Sequence, residues 1–435
     1  MARVLAYTSP ARGHLYPLTP ILVELRRRGH DVAVRTLASE VQLMRDQGFT
    51  AEPISERVEA IGHDDWQAGN ARAALAHSVA TFVARSEHDA PDLQDAIATA
   101  HPDTVIVDIN SWGAMAAAEA WGGPWAAFCP YPLAVSSRDA PPFGPGFPPA
   151  RGPLGRLRDR VARPLVVGTL ERTMLPKNNA VRARLSLAPV RSVDEMFRRP
   201  PLLLYLTAEP FEYPRRDWPD NVVMVGPCEW EPAAEPPAWL SEVTAPIVLV
   251  TTSSEFQGDG RLIQAALDGL AEEPVFVVAT LPAGDPSSFR VPANARVERF
   301  VPHGPILDRA VCAVTHGGMG ATQKALARGV PVCAVPFGRD QPEVARRVEV
   351  AGAGTRLPAG RLTPERLRDK VREAIGRSEG AARIAAAFLA TGGPAAAADA
   401  VEGRRITVVQ TSQAAPGRSL LDESPADASD SERSG

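Results

Sequence analysis

The chain has 435 residues, enough for two or three domains, and its 45% hydrophobic and 23% charged residues are ordinary for a globular protein with a sizeable core. A formal net charge of −4 argues against a general nucleic-acid binder or an anionic-membrane binder, which would carry a basic excess. Aromatics make up only 6%, so Ala, Val and Leu must fill most of the core.

In chain order, Arg3 to Thr8 is a short apolar run that predicts a strand ending at Ser9-Pro10. After Gly13-His14 comes a helix. Leu18, Ile21, Leu22 and Leu25 share one face, Arg26 to Arg28 crowd its last turn and Gly29 stops it. Asp31 to Thr36 predicts a second strand, and Ser39 is expected to cap the next helix, running to Gly48. Thr104 to Val107 predicts a buried strand with Asp108 at its C-terminal end, Trp112 to Trp121 a helix, and Trp125 to Phe128 a strand. Residues from Ser136 to Pro201 are rich in Pro, Gly and Arg, with helical pieces among them, before Leu202 to Leu206 and Val222 to Val225 restore strand character. A proline-rich stretch, residues 227–246, is expected to be an interdomain linker. Beyond it, strands are predicted at Ile247 to Thr251, Val275 to Ala279, Arg296 to Phe300, Val311 to Thr315 and Val332 to Val335, most of them separated by helices. The expected organisation is an α/β N-terminal domain (1–226), the linker, an α/β C-terminal domain ending in helices (247–410), and a disordered tail rich in Ser, Asp, Glu and Pro (411–435).

Cys129, Cys228, Cys312 and Cys333 form no C-x-x-C pair and are expected to be reduced thiols, most of them in buried strands. No stretch approaches about 18 uninterrupted apolar residues, so no spanning helix is predicted. The short apolar run at Val4-Leu5-Ala6 does not make a signal peptide, and a cytoplasmic location is expected.

Two segments concentrate the chemistry. His316-Gly317-Gly318-Met319-Gly320-Ala321-Thr322 closes one β-forming run and opens a helix, and Pro336-Phe337-Gly338-Arg339-Asp340-Gln341 does the same further on. Glycines let backbone approach phosphate, and a helix N-terminus supplies N–H groups and positive dipole charge. Asp340 and Gln341 offer acceptors and donors suited to sugar hydroxyls. His14 and Asp108 also fall at the carboxyl ends of predicted strands, where open α/β sheets bind ligands, although as isolated residues they read more readily as a helix-cap residue and a turn former.

These residues together resemble glycosyltransferase family 1, the nucleotide-sugar transferases with the GT-B fold, and within it the bacterial macrolide and natural-product members. The resemblance covers about residues 3 to 400 and is most specific from Phe300 to Val350. It implies two Rossmann-like domains with parallel sheets facing across a cleft, acceptor on the N-terminal side and nucleotide sugar on the C-terminal side. Gly13-His14-Leu15-Tyr16-Pro17 is similar to the family's G-H-x-x-P, which makes His14 the implied general base and Asp108 the carboxylate that orients it. By the same resemblance, His316 contacts the diphosphate, Gly317, Gly318 and Gly320 keep side chains out of its way, and Thr322 offers a hydroxyl. Ser253 and Ser254 lie near the phosphates, Val301 reads the nucleobase through its backbone, His303 touches ribose or phosphate, and Asp340 and Gln341 bind the sugar. Two positions depart from the family: Lys324 stands where many relatives place the glutamate that binds both ribose hydroxyls, and Gly320 where asparagine is common. Lysine is donor-only, which leaves room for a deoxythymidine donor beside a uridine one.

The implied reaction is an inverting displacement, an α-linked donor giving a β-glycoside, with no enzyme nucleophile. No D-x-D motif occurs, so no metal is expected, and the nucleotide sugar is a co-substrate rather than a cofactor. His63-Asp64-Asp65 is expected to be an exposed loop, not a ligand cluster. The implied acceptor is a hydrophobic polyketide, macrolide or flavonoid-like molecule. Trp66, Phe82, Trp112, Phe143 and Phe147 are candidate walls for it, with core packing as their alternative role. An epimerase or hydrolase of nucleotide sugars and a non-catalytic transferase activator are the competing readings. A dinucleotide oxidoreductase is disfavoured because no G-x-G-x-x-G follows the first strand.

Overall fold

A computed structural model describes residues 1–68, 71–255 and 257–413. The first sheet comprises β1 (Arg3–Tyr7), β2 (Asp31–Thr36), β3 (Thr50–Pro53), β4 (Thr104–Asp108), β5 (Trp125–Cys129), β6 (Leu202–Tyr205) and β7 (Val222–Met224). Its order is β3-β2-β1-β4-β5-β6-β7, all parallel. Helices α1 (Arg12–Arg27), α2 (Val41–Asp46), α3 (Glu56–Glu59), α4 (Ala71–Ala100), α5 (Trp112–Trp121), α6 (Gly152–Arg184) and α7 (Val193–Arg198) surround it. Parallel strands covered on both faces need continuous apolar runs, and β4, β5 and β6 are buried throughout. Leu5, Tyr7, Val105 and Val107 pack on one face of the sheet, while Val4, Ala6 and Ile106 pack on the other with Leu15, Leu18, Ile21, Leu22 and Leu25 of α1.

The second sheet comprises β8 (Ile247–Thr251), β9 (Phe276–Thr280), β10 (Ala295–Glu298), β11 (Ala310–Thr315), β12 (Val332–Ala334) and β13 (Gly354–Arg356), in the parallel order β10-β9-β8-β11-β12-β13. Its helices are α8 (Arg261–Leu270), α9 (His303–Leu307), α10 (Met319–Ala327), α11 (Gln341–Val350), α12 (Pro364–Ile375), α13 (Ser378–Ala390) and α14 (Gly393–Gln413). In each sheet the strand order reverses once, between β1 and β4 and between β8 and β11. Ligands in such sheets bind beyond the carboxyl ends of the strands at these reversals, where neighbouring loops part.

Several expectations require correction. Ser39 lies inside a short 3-10 turn and makes no cap; its hydroxyl bonds Glu40 at 3.2 Å. The helical pieces of the Pro- and Arg-rich stretch are the 33-residue α6 and the short α7, and α4 spans 30 residues that show little periodicity in the sequence. Of the tail expected from residue 411, Thr411 to Gln413 belong to α14 and the remainder lies outside the described residues. Residues Ser378–Gly403 hold an 18-residue window of mean hydropathy 1.4, long and apolar enough by composition to cross a bilayer although charged residues interrupt the run. Their small side chains serve packing here. Ala381, Ile384 and Phe388 join the second domain's core, and Ala397, Ala398 and Val401 join the first domain's. Arg28 of α1 pairs with Asp399 at 2.5 Å and Glu402 at 2.8 Å, so the C-terminal helix closes back on the N-terminal domain.

Candidate active site

The parallel register of β1 and β4, with Tyr7 beside Val107, sets the ends of the two strands together. Asp108 therefore falls next to the loop that leads into α1, and Ser9 donates to Asp108 Oδ2 through its N–H at 3.0 Å and its hydroxyl at 2.7 Å. His14, in the first turn of α1, places Nδ1 2.9 Å from the same carboxylate. The Asp108 side chain is fully buried and that of His14 is 15% exposed. Burial alone would lower the His14 pKa, but the charge and hydrogen bond of Asp108 outweigh it, with Glu255 and Asp340 adding to the rise. Burial raises the Asp108 carboxyl, and His14 with the Asn110 and Ser9 donors reverses this to a net lowering. Because Asp340 and Glu255 belong to the second domain and act on His14 of the first, the two reversal points face each other across one cleft.

On the opposite wall, Gly317 adopts a φ of +86°, and a Cβ there would meet Gln341 at 3.1 Å. A Cβ on Gly318 would stand 2.3 Å from His316 Nε2. These glycines are required by close approach as well as by conformation. No side chain caps α10, so its first N–H groups, from Met319 and Gly320 onward, lack intrahelical acceptors and face whatever occupies the turn. His316 Nδ1 is buried without a hydrogen-bond partner. Burial, then the Arg339 charge, lowers the His316 pKa against the opposing pull of Asp259 and Thr251. A buried imidazole, a glycine cradle and an uncapped helix N-terminus thus gather at one turn, the features that an anion site calls for.

Thr322, Ser253, Gln341 and His303 of the expected donor residues are engaged by the protein itself. Thr322 is fully buried, with its hydroxyl 3.2 Å from that of Thr315, so it props the turn from beneath. Ser253 N–H donates to Asp259 at 2.7 Å, and its hydroxyl oxygen accepts from Glu255 N–H and the Gln257 amide at 3.1 and 2.8 Å. Ser254 is exposed on the same loop. Gln341 Oε1 accepts from Phe337 and Gly338 N–H at 2.7 and 3.1 Å, and its amide donates to Gln257 at 2.6 Å. Asp340 opens α11 without capping it, and burial raises its carboxyl. Val301 is buried, and His303 Nε2 lies 3.1 Å from the Thr280 hydroxyl. Burial and then Lys324 push the His303 pKa down to about 4.

Lys324 is not free to meet a ribose. Its Nζ bonds Glu231 at 2.9 Å, and the Glu231 carboxylate also accepts the N–H groups of His303 and Gly304 at 3.0 and 2.9 Å. Glu231 comes from the linker, where sequence offered no sign of a role.

His63-Asp64-Asp65 is not the exposed loop expected. Only the Asp64 side chain is exposed; those of His63 and Asp65 are 14% and 5% exposed. Asp65 accepts two bonds from Arg339 at 2.9 and 2.8 Å, and Arg339 also reaches Glu255 at 2.7 Å. Burial, followed by the Arg85 and Arg339 charges, lowers the His63 pKa to about 4. Of the candidate acceptor walls, Phe82 stacks with Trp112 at 5.4 Å and His63 at 5.1 Å, and Trp66 is 43% exposed nearby in sequence. Phe143 instead lines a small hollow beneath α6 with Pro141, Val166 and Leu170, and Phe147 lies under Arg158. The reading from sequence missed Asn110, Tyr131, Glu255, Gln257, Arg339 and Glu231. Asn110 and Glu255 sit within two residues of motif positions and Arg339 lies inside one, the one signal that pointed to them.

Two doubly wound sheets whose reversal points share a cleft, one carrying a His–Asp pair and the other a glycine-rich anion turn, define a two-domain enzyme of the GT-B class. The model of the erythromycin biosynthesis protein CIII-like C-terminal domain matches residues 264–403. The chain is 33% identical over 419 residues to the 4'-demethylrebeccamycin synthase of Lentzea aerocolonigenes, covering 92% of this chain and 99% of that protein. Among solved structures, CalG4, the calicheamicin glycosyltransferase, matches with a TM-score of 0.70 at 21% identity over 94% of this chain and 99% of its own. VinC in complex with DTDP matches with a TM-score of 0.69 at 21% identity over 93% and 100%. These two likenesses show the fold. The chain belongs to glycosyltransferase family 1, among its EryCIII-like natural-product members, and is a glycosyltransferase.

Proposed function

We propose that the protein moves a hexose from a UDP- or dTDP-sugar to a nucleophilic group, most simply a hydroxyl, of a hydrophobic natural product, with inversion. The observation that carries this reading is the His14–Asp108 pair, bonded at 2.9 Å and facing Asp340 across the cleft. Asp108 holds the Nδ1 proton and stabilises the imidazolium, while Nε2 takes the acceptor's proton as its oxygen attacks the anomeric carbon. The diphosphate leaves into the glycine turn, where backbone N–H groups, the α10 dipole and His316 balance its charge without calling for a metal. In this reading no enzyme residue bonds the sugar, so one displacement inverts the anomeric centre. Lys324, bonded to Glu231, offers no acceptor for two ribose hydroxyls, which leaves room for a deoxythymidine donor beside a uridine one. The DTDP bound by VinC is consistent with the deoxythymidine donor.

The test is His14→Ala, assayed by mass detection of product with UDP- and dTDP-sugars and a panel of aromatic and macrocyclic acceptors. Transfer is expected to vanish while calorimetric binding of the nucleotide persists; full turnover in the variant removes His14 as the base. Incubation with donor alone separates an epimerase or hydrolase, which needs no acceptor.

A further inference from the structure

We propose that Asn110, held by Tyr131, is a positioning residue that keeps His14 Nε2 unprotonated and ready to receive a proton. The inference rests on the reading of His14 as the base.

The geometry runs in one direction. The Tyr131 hydroxyl stands 2.7 Å from Asn110 Oδ1. Burial raises the Tyr131 pKa well above its ordinary value, so the phenol keeps its proton and donates it. Asn110 Oδ1 is thereby committed as an acceptor, and the amide's NH2 is the group presented to His14 Nε2 at 3.3 Å. An N–H donor facing a ring nitrogen is favourable only when that nitrogen carries a lone pair. The ring proton then belongs on Nδ1, where Asp108 accepts it. Asn110 also acts at the other end of the ring, since its backbone N–H donates to Asp108 Oδ1 at 2.9 Å. One residue on the β4–α5 turn thus fixes both the tautomer and its orienting carboxylate.

The charges around His14 show why such a device matters. Asp108 from β4, Glu255 from the β8–α8 loop and Asp340 from the start of α11 all favour the imidazolium, while burial opposes it. The α1 N-terminus also opposes it through its positive dipole end. The three carboxylates orient and stabilise the protonated ring late in the reaction, but they also bring early protonation. The Asn110 amide, a donor where the imidazolium would itself need an acceptor, counters that. Tyr131 reinforces the arrangement, with its ring centroid 5.7 Å from that of His14.

The experiment compares Asn110→Asp, Asn110→Ala and Tyr131→Phe with wild type. It reads the pH dependence of kcat/KM for transfer and the titration of His14 by NMR of histidine-labelled enzyme. Asn110→Asp replaces the donor by an acceptor and is expected to move the acid limb and the His14 titration up by about one pH unit, a tenfold loss at the foot of the limb. Tyr131→Phe removes only a hydroxyl, frees the amide to turn, and is expected to shift both in the same direction by less. A loss of rate with the same limb and the same titration in all three variants overturns the proposal and leaves the general-base reading intact if His14→Ala is inactive. Retained turnover in His14→Ala overturns both.

Discussion

Arg339 of the second domain lays its guanidinium on both carboxylate oxygens of Asp65 in the first, at 2.9 and 2.8 Å, while its remaining arm holds Glu255 at 2.7 Å. Arg339 immediately precedes Asp340 and sits at a φ of +53°. The bridge therefore ties the donor wall to the acceptor wall next to the proposed sugar site. Asp65→Ala is expected to let the cleft open. A roughly tenfold fall in kcat/KM, corresponding to about 1.4 kcal/mol, should accompany a larger radius of gyration in solution scattering. Unchanged scattering and kinetics would remove the bridge from the account of closure.

A second interdomain contact is structural. Glu212 and Arg347 meet at 2.9 Å with side chains 0% and 2% exposed, joined by Arg215, Glu343 and the Tyr205 hydroxyl. Burial would raise the Glu212 pKa, but Arg347 and Arg215 pull it down to about 2. A carboxyl lowered on folding stabilises the protein above its unfolded pKa, and the contribution is lost as pH falls from about 4.5 towards about 2. Glu212→Gln leaves Arg347 under-compensated and should cost about 3 kcal/mol, read in urea melts at pH 7. The gap from wild type should narrow as pH falls towards 3.

Asp108→Asn should lower kcat by about 10² to 10⁴, because the tautomer is no longer held. The pH profile gives a separate signature. Asp108 is the main influence raising the His14 pKa. Wild-type activity should therefore fall as pH drops through a value above 6.5, and the variant's residual activity should fall at a lower pH. An acid limb that stays in place would show that another group titrates there.

Gly318→Ala would place a methyl group 2.3 Å from His316 Nε2. The imidazole must turn out of the anion site, and nucleotide affinity measured by calorimetry is expected to weaken about tenfold or more, roughly the worth of one charge-assisted hydrogen bond. Gly320→Ala meets nothing within 4 Å and should bind as wild type does.

Lys324→Glu would set a carboxylate against Glu231, which already holds the first turn of α9. The variant should melt several degrees lower, and Glu231→Lys added to it should restore part of the loss if the pair acts through charge. If Lys324→Glu instead binds UDP-sugars more tightly with no loss of melting temperature, the Lys324–Glu231 pair is not what holds the loop.

All the strands but β3 and β13 were legible as short apolar runs, and the two motif turns by punctuation the chain cannot avoid. Gly317 and Gly318 stand where backbone must pass closely, and Asp108 ends an unbroken buried strand. The long helices α4 and α6 were not legible. Pro91, Pro164 and Pro176 interrupt the helical signal, and much of α6 is exposed, so no clean apolar face repeats along it. Strands β3 (Thr-Ala-Glu-Pro) and β13 (Gly-Thr-Arg) carry no apolar run, whereas β7 and β12, equally short, do.

By itself the sequence determined the alternation of strand and helix, the family, and which residues stand at the ends of β1, β4, β8 and β11, because these depend on local pattern and chain order. Only the tertiary structure decided which of them meet. The register of β1 on β4 brings Ser9 and His14 to Asp108, and folding sets Asp65 against Arg339, Glu231 against Lys324, and Tyr131 against Asn110, across 274, 93 and 21 residues. Such pairings carry no periodicity or motif of their own. They follow from the packing of two domains and a linker, so they became readable only once burial had removed the water that would otherwise satisfy each partner.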